Sequence, residues 1–579
     1  MRFHAIATDY DGTIAHDGVV DAPTLAALER ARKSGRKLIM VTGRELSDLQ
    51  QVFPRLDLFD LVVVENGAVL FNPQTKEIRI LAEPPPAKFA AALKARKVSP
   101  LTTGHVIVAT FEPHQHEVLE VIHEQGLELQ VIFNKGAVMV LPSGVNKATG
   151  LAAALAEFGM SPHNTVGVGD AENDHAFMRV CECSAAVANA LPAVKDTADV
   201  VLKGNRGAGV AELIDRLIAH DLSDLKTLAR HRITLGESDD KTELQLDPAG
   251  PGVLVSGTSG SGKSTLTTSL LEGLADAGYQ SLIIDPEGDY TNLEFANHIG
   301  SPAQAPQPKD VTDALREPKR SIVVNLLGIP LGDRPKFFGQ LLPHILQEKA
   351  RTGRPHWLVI DEAHHMLPVG ADAAALAPLL PDRGILFITV HAGAVEPAAL
   401  TNVGTLLVIG GQPANTVAEF CTTVGEKQPK CPAVEGDRLP TGDAMVWHRG
   451  ESKAVVVHTK QPRTERKRHS RKYAEGNLGP ERSFYFRGPE GKLNLKASNL
   501  FLFLQLADGV DDETWEFHRT NGEYSTWIRT HIKDAALADE LVEIESKKRA
   551  KPHDSRAAVR AAIETRYTLP ADKASGLID

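Results

Sequence analysis

The sequence predicts an α/β protein: two parallel-sheet domains in series, the first carrying a small inserted cap, then a small, mostly helical C-terminal region. Three observations carry that expectation. Strand and helix signals alternate through residues 1–220, and they alternate again through about 251–450; such alternation buries a parallel sheet between helices. Each run also opens with an apolar strand that leads into residues suited to phosphate chemistry. These are Asp9-Tyr-Asp11-Gly12-Thr13 in the first run and Gly257-Thr258-Ser259-Gly260-Ser261-Gly262-Lys263-Ser264 in the second. At 579 residues the chain is too long for one core, so two to four domains are expected.

Taken in order, residues 4–8 read as a buried strand. Residues 23–33 read as a helix with a proline near the start and Gly35 just past the end. Residues 37–41 and 61–64 read as strands, 151–158 as a helix and 165–168 as a further strand. The stretch 83–145 breaks the rhythm. Pro84-Pro85-Pro86 opens it, short strands at 106–110 and 137–141 follow, and it reads as a cap inserted into the first domain. An amphipathic helix over 205–222 closes that domain, 1–222. Residues 223–250 read as a connector with some structure of their own. The second domain spans 251–458, with strands at 253–255, 281–285, 321–326, 357–361, 385–390 and 405–409. Residues 460–472 hold seven Lys/Arg against one Glu, which marks 459–482 as an exposed basic linker; 483–579 is helix-prone with scattered aromatics.

Composition narrows the function classes. Apolar residues at 42% and charged residues at 24% are ordinary for a globular protein. A net charge of −11 argues against a generic polyanion binder, while leaving room for a local basic patch. Cys181, Cys183, Cys421 and Cys431 follow no metal or disulfide spacing, which suits a reducing compartment. With no N-terminal apolar leader and no run of about 18 apolar residues, the expectation is a cytoplasmic protein without a membrane partner.

In the first domain Asp9 and Asp11 fall at the C-terminal end of the first strand, where open α/β sheets place their ligands. Phosphoryl transfer needs a nucleophile, a proton donor for the leaving group and cations against the phosphate charge. Further elements land at strand ends or helix starts: Thr42-Gly43-Arg44, Asn146-Lys147, and Gly169-Asp170-Ala171-Glu172-Asn173-Asp174. These four motifs resemble those of the haloacid dehalogenase (HAD) superfamily, in particular its Cof-type phosphatases, and Glu65-Asn66-Gly67-Ala68 and Ala188-Asn189-Ala190 match that subgroup too. The resemblance covers about 1–220. It implies a Rossmann-like sheet with a small α+β cap, a nucleophile at Asp9 that forms an aspartyl-phosphate, and an acid/base at Asp11. Thr42 and Lys147 would hold the phosphoryl oxygens. A Mg²⁺ would sit on Asp9, Asp170 and the main-chain carbonyl of Asp11, with Asp174 in or beside that shell.

The glycine-rich segment 257–264 follows a strand and precedes a helix that includes Thr265, the setting a phosphate-binding loop requires. Its backbone N–H groups and the helix dipole would bind ATP phosphates, Lys263 would reach the β- and γ-phosphates, and Ser264 would ligate Mg²⁺. The apolar strand before Asp361-Glu362 supplies a second pair of acids, Asp361 for the Mg²⁺ water shell and Glu362 to polarise the attacking water. With Asp285-Pro286-Glu287-Gly288-Asp289-Tyr290, Ile360-Asp361-Glu362-Ala363-His364 and the strand before His391, residues 240–450 resemble the HerA/FtsK-like and conjugation-type ATPases. That resemblance implies a P-loop NTPase domain of RecA/ASCE type and a homo-oligomeric, often hexameric, ring that moves DNA. Those relatives end a later strand with a glutamine sensor; here Thr389-Val390-His391 stands in its place, with Thr389 or His391 as substitutes. Arg383 is either a finger reaching a neighbouring subunit or a plain surface arginine, and His364 and His365 are either metal ligands or neutral structural histidines.

Arg466-Lys467-Arg468 and Arg471-Lys472 are a solvated linker or a phosphate contact, and Phe484-Tyr485-Phe486-Arg487 is a stacking platform for single strands or a core strand. Trp515, Tyr524 and Trp527 are expected to anchor a helical bundle. The reading favoured by these residues is a Mg²⁺-dependent phosphohydrolase for a phosphorylated small molecule, coupled to an ATPase that regulates or assembles it. Three others stay open: a nucleic-acid-processing ATPase whose first domain trims phosphates, a non-catalytic ATP-binding scaffold, and a polynucleotide kinase-phosphatase, against which the Asp361-Glu362 pair argues.

Overall fold

In the first 220 residues an eight-stranded sheet is built around Ala5–Thr8. Thr165–Gly169 pairs with it on one side and Lys37–Val41 on the other, both parallel. Cys183–Ala186 and Val200–Val201 extend one side and Leu61–Val64 the other, still parallel, before Val69–Phe71 and Ile78–Ile80 turn antiparallel at the edge. Ala5–Thr8, Leu61–Val64 and Thr165–Gly169 are buried along their whole length. Strands covered on both faces need no polar alternation, which is why they stand out as apolar runs. Helix Ala22–Lys33, capped by the Asp21 side chain, packs on helix Arg206–His220. Gly207 allows that approach, since a Cβ there would lie 1.9 Å from Thr24 Oγ1. The computed structural model describes residues 1–134, 136–225, 228–258, 260–464, 478, 480–532, 534–547 and 551–567.

The cap is a four-stranded antiparallel sheet, Thr102–Thr103, Val108–Phe111, Ala137–Pro142 and Leu129–Asn134, with helices Ala87–Ala95 and Gln115–Gln125. Phe89, Leu93, Val118 and Val140 give it a core of its own. One buried carboxylate ties it to the main sheet: Glu65 accepts the backbone N–H groups of His105, Val106 and Ile107 at 2.8–2.9 Å.

The second sheet has eleven strands. Gly252–Gly257 lies between Val403–Ile409 and Ile385–Thr389; Trp357–Ile360, Ser281–Asp285, Ser321–Asn325 and Ala296–Ile299 follow on the latter side, all parallel. Beyond Val403–Ile409, strands Asp443–His448, Val455–Thr459, Ile233–Glu237 and Glu243–Leu246 run antiparallel in turn. Residues 223–250, read from the sequence as a connector, thus contribute two strands to this sheet.

The two sheets meet at the N-terminal ends of their strands. Asn164, just ahead of Thr165–Gly169, places Oδ1 3.2 Å from His356 Nε2, just ahead of Trp357–Ile360; His356 Nδ1 accepts the Gln280 N–H at 2.8 Å. Burial holds His356 well below the usual histidine range, in keeping with a neutral ring that accepts at one nitrogen and donates at the other. Arg354 donates through Nε to the Gly159 carbonyl and through Nη1 to Gln280 Oε1 and the Leu315 carbonyl, each at 2.8 Å. Glu182 is the charged centre of this joint. It is paired with Arg2, accepts the Tyr279 hydroxyl at 2.9 Å and lies 2.7 Å from His163 Nδ1, while His163 Nε2 lies 2.8 Å from the Ala277 carbonyl. Burial pushes the Glu182 carboxyl up, but the His163 hydrogen bond and the Arg2 charge outweigh it and hold the group down at about 2.

The unit formed by residues 465–579 is separate. A two-stranded ribbon, Phe484–Phe486 with Leu495–Ala497, sits among helices Leu500–Gly509, Asp512–Thr520, Glu523–Trp527, Ala535–Glu545 and Pro552–Arg566. Phe484 and Phe486 are buried against Phe503 and Tyr524, so that motif is a core strand. Trp515 stacks on Tyr524 at 4.5 Å and donates to Ser555 Oγ at 2.9 Å, which fixes the bundle at both its apolar and polar ends. Arg466, Lys467, Arg468, Arg471 and Lys472 lie outside the described residues. No helix among the described residues is long and apolar enough to cross a membrane.

Replacing Glu182 with Gln removes the buried anion that Arg2 pairs with and is expected to cost about 3 kcal/mol of stability near neutral pH. Because the native carboxyl titrates below its unfolded value, its contribution is present above about pH 4.5 and fades as pH falls towards 2. Calorimetric melting of both proteins at pH 7 and pH 3.5 should show the gap between them narrowing in acid.

Candidate active sites

In the first domain four motifs separated by up to 165 residues meet at the C-terminal edge of the sheet. Lys147 is the first residue of helix Lys147–Glu157, which Asn146 caps, the Asn146 side chain accepting from the Ala148 and Thr149 N–H groups. Its Nζ donates to Asp9 Oδ1 and Asp174 Oδ1, each at 2.6 Å, and all three side chains are buried. Asp174 is aimed by its other oxygen, which accepts the Asp170 and Ala171 N–H groups at 2.8 and 2.9 Å. Thr13 donates to Asp170 Oδ1 at 3.1 Å. Burial, reinforced by Asp174, pushes the Asp9 carboxyl up to about 7 despite Lys147. Burial alone would lower Lys147; the two carboxylates reverse that and leave its ammonium raised above the usual range.

Asp9, Asp170 and Asp174 each bring a carboxylate oxygen within 4.8 Å of the others. Three hard oxygen donors around a buried excess of negative charge fit a divalent cation of Mg²⁺ type. His163, Glu182 and His231 also gather at the joint, but Arg2 already neutralises Glu182, so a cation there would lack counter-charge. Thr42, buried at the end of Lys37–Val41, accepts the Arg44 N–H at Oγ1 and the Asn66 N–H at its carbonyl. Asp11 stands at the more open side, held by the Arg44 guanidinium. A cleft of about 620 Å³ runs beside Lys147, lined by Asn66, Asn173, Met178 and Ile132 of the cap.

In the second domain the loop after Gly252–Gly257 turns at Gly262, whose φ of +107 lies in the left-handed region that favours glycine, and enters helix Lys263–Asp276. Thr258, Gly260 and Ser261 complete the described loop; Ser259 lies outside the described residues. Lys263 Nζ donates to the Gly257 and Thr258 carbonyls at 2.9 and 3.3 Å. Thr265 is half-buried one residue past Ser264, on the first turn of the helix. Ser264 donates its hydroxyl to Asp289 Oδ2 at 2.9 Å. Asp361 ends Trp357–Ile360, two strands from the loop's own strand, with Ile385–Thr389 between. Burial, with Asp289, Glu362 and Asp285 nearby, raises the Asp361 carboxyl well above the usual range. Glu362 takes a left-handed backbone, φ +43, its N–H donating to Asp361 Oδ1 at 2.8 Å. Such a conformation is costly for a residue with a side chain and marks a constrained turn.

The sequence-derived residues therefore fall into two groups: Asp9, Asp11, Thr42, Lys147, Asp170 and Asp174 at one sheet edge, and the loop with Asp361 and Glu362 at the other. Thr389 Oγ1 lies 3.1 Å from His364 Nδ1, whereas the His391 side chain is exposed. Burial lowers His364 to about 4, in keeping with a neutral ring. Arg383 precedes its strand, at the edge away from the loop, and donates to the Ala249 carbonyl. Sequence reasoning named the segments that hold Arg44 and Asp285 but gave neither residue a role. Arg44 grips Asp11, and Asp285 folds the turn that presents Asp289, accepting the N–H groups of Gly288, Asp289 and Tyr290 at 2.7–3.1 Å. The role of Asp285 could have been read from the spacing of Asp285, Gly288 and Asp289; that of Arg44 could not, because its partner Asp11 lies 33 residues away.

Two family profiles match the chain: the haloacid dehalogenase-like hydrolases over residues 6–97 and 110–214, and the central domain of helicase HerA over 234–331. The gap in the first match falls in the cap. Among curated relatives, phosphoglycolate phosphatase 2 of Saccharolobus solfataricus is 27% identical over 218 residues, 37% of this chain and 92% of that protein. The phosphoglycolate phosphatase of Methanothermobacter thermautotrophicus is 31% identical over 223 residues, 37% of this chain and 98% of that one. A crystal structure of a haloacid dehalogenase-like hydrolase from Bacteroides thetaiotaomicron aligns at 19% identity over 37% of this chain and 99% of its own, with a TM-score of 0.33. The shared motifs converge on one buried cluster and the match runs nearly the full length of the relatives, so the chain belongs to the haloacid dehalogenase-like hydrolases, as an enzyme that carries a HerA-type P-loop domain behind its phosphatase domain.

Proposed function

We propose that the first domain is a Mg²⁺-dependent phosphomonoesterase acting on a small carboxylated phosphoester of the phosphoglycolate type, and that the P-loop domain hydrolyses ATP and regulates or assembles it. The observation that carries the first half is the buried Asp9–Lys147–Asp174 cluster beside Asp170. Asp9 attacks phosphorus through a carboxylate oxygen, and Asp11 gives its proton to the departing alkoxide. Asp11 then takes a proton from water as that water attacks the aspartyl-phosphate, releasing inorganic phosphate and restoring Asp9. Thr42 and Lys147 hold the phosphoryl oxygens. Mg²⁺ held by Asp9, Asp170 and the Asp11 carbonyl, with Asp174 beside them, would neutralise the phosphate charge against the nucleophile.

In the second domain the backbone of 257–265 and Lys263 would cradle the ATP phosphates, Ser264 and Asp361 would serve Mg²⁺, and Glu362 would orient the attacking water. Coupling has a physical route. The strands that end at Asp285 and Asp361 begin at Gln280 and His356 in the joint, and the strand that ends at Asp170 begins beside Asn164 on the other side of it. A nucleotide-dependent shift of the two ATPase strands would thus press on a strand of the phosphatase site, and a homo-oligomeric ring would make that response collective. A second reading, a nucleic-acid-processing ATPase, rests on the HerA central-domain match. It requires ATP turnover stimulated by DNA or RNA and suppressed by salt.

Asp9→Asn should lower phosphomonoesterase kcat by at least about 10³-fold while ATP turnover is unchanged. Glu362→Gln should keep nucleotide binding and lose hydrolysis by about 10²-fold or more, read by fluorescent-nucleotide titration beside phosphate release. ATP should change the phosphatase rate or the particle mass by light scattering in the wild type and not in Lys263→Ala. Identical values in both proteins with and without ATP would sink the coupling.

A further inference from the structure

The acid on the leaving-group side of the phosphatase site is gripped by a cation that the mechanism above does not use. Arg44 Nε donates to Asp11 Oδ2 at 2.6 Å and Nη2 donates to Asp11 Oδ1 at 2.8 Å, two parallel bonds from one edge of the guanidinium. Nη1 donates to Asp48 Oδ2 at 2.5 Å, on helix Leu46–Val52, and the guanidinium lies 5.5 Å from the Tyr10 ring centre. Arg44 therefore has an anchor, Asp48, that holds it in place when its other edge changes partner. Its side chain is 24% exposed and that of Asp11 39%, against 2% for Lys147. Lys147 is the cation on the floor of the site, at the phosphoryl end; Arg44 is the cation at the mouth, at the alcohol end.

Resting on the phosphomonoesterase reading, we propose that Arg44 is the specificity residue of this site: it binds an anionic group carried by the leaving alcohol about two bonds beyond the ester oxygen. A group that exchanges a proton with the ester oxygen must come within about 2.6–3.2 Å of it. Arg44 nitrogens lie 2.6 and 2.8 Å from the same carboxylate that does so. A carboxylate one methylene away from the ester oxygen, as in 2-phosphoglycolate, therefore arrives where Asp11 now meets the guanidinium. One carboxylate takes the place of another on the same planar fork, so the charge of Arg44 stays compensated throughout. The planar, two-bond match suits a carboxylate and gives nothing to a neutral alkyl group, so discrimination falls on the presence of that charge.

The test is a ratio. kcat/KM is measured with Mg²⁺ for 2-phosphoglycolate and for ethyl phosphate, which has a methyl in place of the carboxylate, in the full-length wild type, Arg44→Lys and Arg44→Gln. The wild type should prefer 2-phosphoglycolate by about 10²-fold. Arg44→Gln should bring the ratio close to one, and Arg44→Lys, which keeps the charge without the fork, should fall between. A loss of folded enzyme lowers both values together, and an effect through Asp11 is read in kcat, whereas loss of the carboxylate contact raises KM for 2-phosphoglycolate alone. A wild-type preference that survives in Arg44→Gln overturns the assignment of Arg44, as does the absence of any preference in the wild type. If the wild type hydrolyses neither compound while other phosphomonoesters are turned over, the substrate class is wrong; if none is hydrolysed, the phosphatase reading falls with it.

Discussion

Lys147 shared between Asp9 and Asp174 is the contact on which the first domain is arranged. Burying a carboxylate without compensation costs several kcal/mol, and here three carboxylates are brought to one strand edge. A single ammonium from a capped helix start balances two of them, and backbone N–H groups of Asp170 and Ala171 fix the second oxygen of Asp174. The helix that carries Lys147 can reach that position because its start lies tight against the Glu65–Gly67 turn: a Cβ on Gly67 would sit 2.0 Å from the Asn146 carbonyl. The same turn supplies Glu65, whose carboxylate holds the entry to the cap. Placement of the cation and attachment of the cap are thus two outcomes of one local geometry.

The joint between the domains obeys the same rule with different residues. Its central polar groups are buried and matched: Arg354 spreads over Gly159, Gln280 and Leu315, and Glu182 takes Arg2, His163 and Tyr279 together. A joint made of directional bonds to strand ends holds the two sheets in one orientation, where a purely apolar seam would let them slide.

Much of this was legible in the sequence, for reasons that show at particular residues. Strands 37–41 and 61–64 coincide with Lys37–Val41 and Leu61–Val64 because continuous burial leaves an apolar run with clear ends. The clustering of Asp9, Lys147 and Asp170 was readable because each follows a strand or starts a helix, and parallel strands bring such ends to one edge. The strands Ile233–Glu237 and Glu243–Leu246 were not readable as part of the second sheet: they are short and antiparallel at its rim, and each alternates apolar with polar residues over only four or five positions. Nor was the Arg44–Asp11 pair, since a side-chain contact across 33 residues leaves no periodic trace. The joint was hidden for a related cause; its histidines, glutamine and arginine sit ahead of strands, where polar residues look like ordinary loop.

Because the sheets abut at the starts of their strands, their two reaction mouths open in opposite directions, roughly 30 Å apart by strand length alone. At that separation each site would exchange its own phosphate, nucleotide or alcohol with bulk solvent. Under the coupling proposed above, a signal between the halves would pass through the backbone of the joint and not with a transferred product.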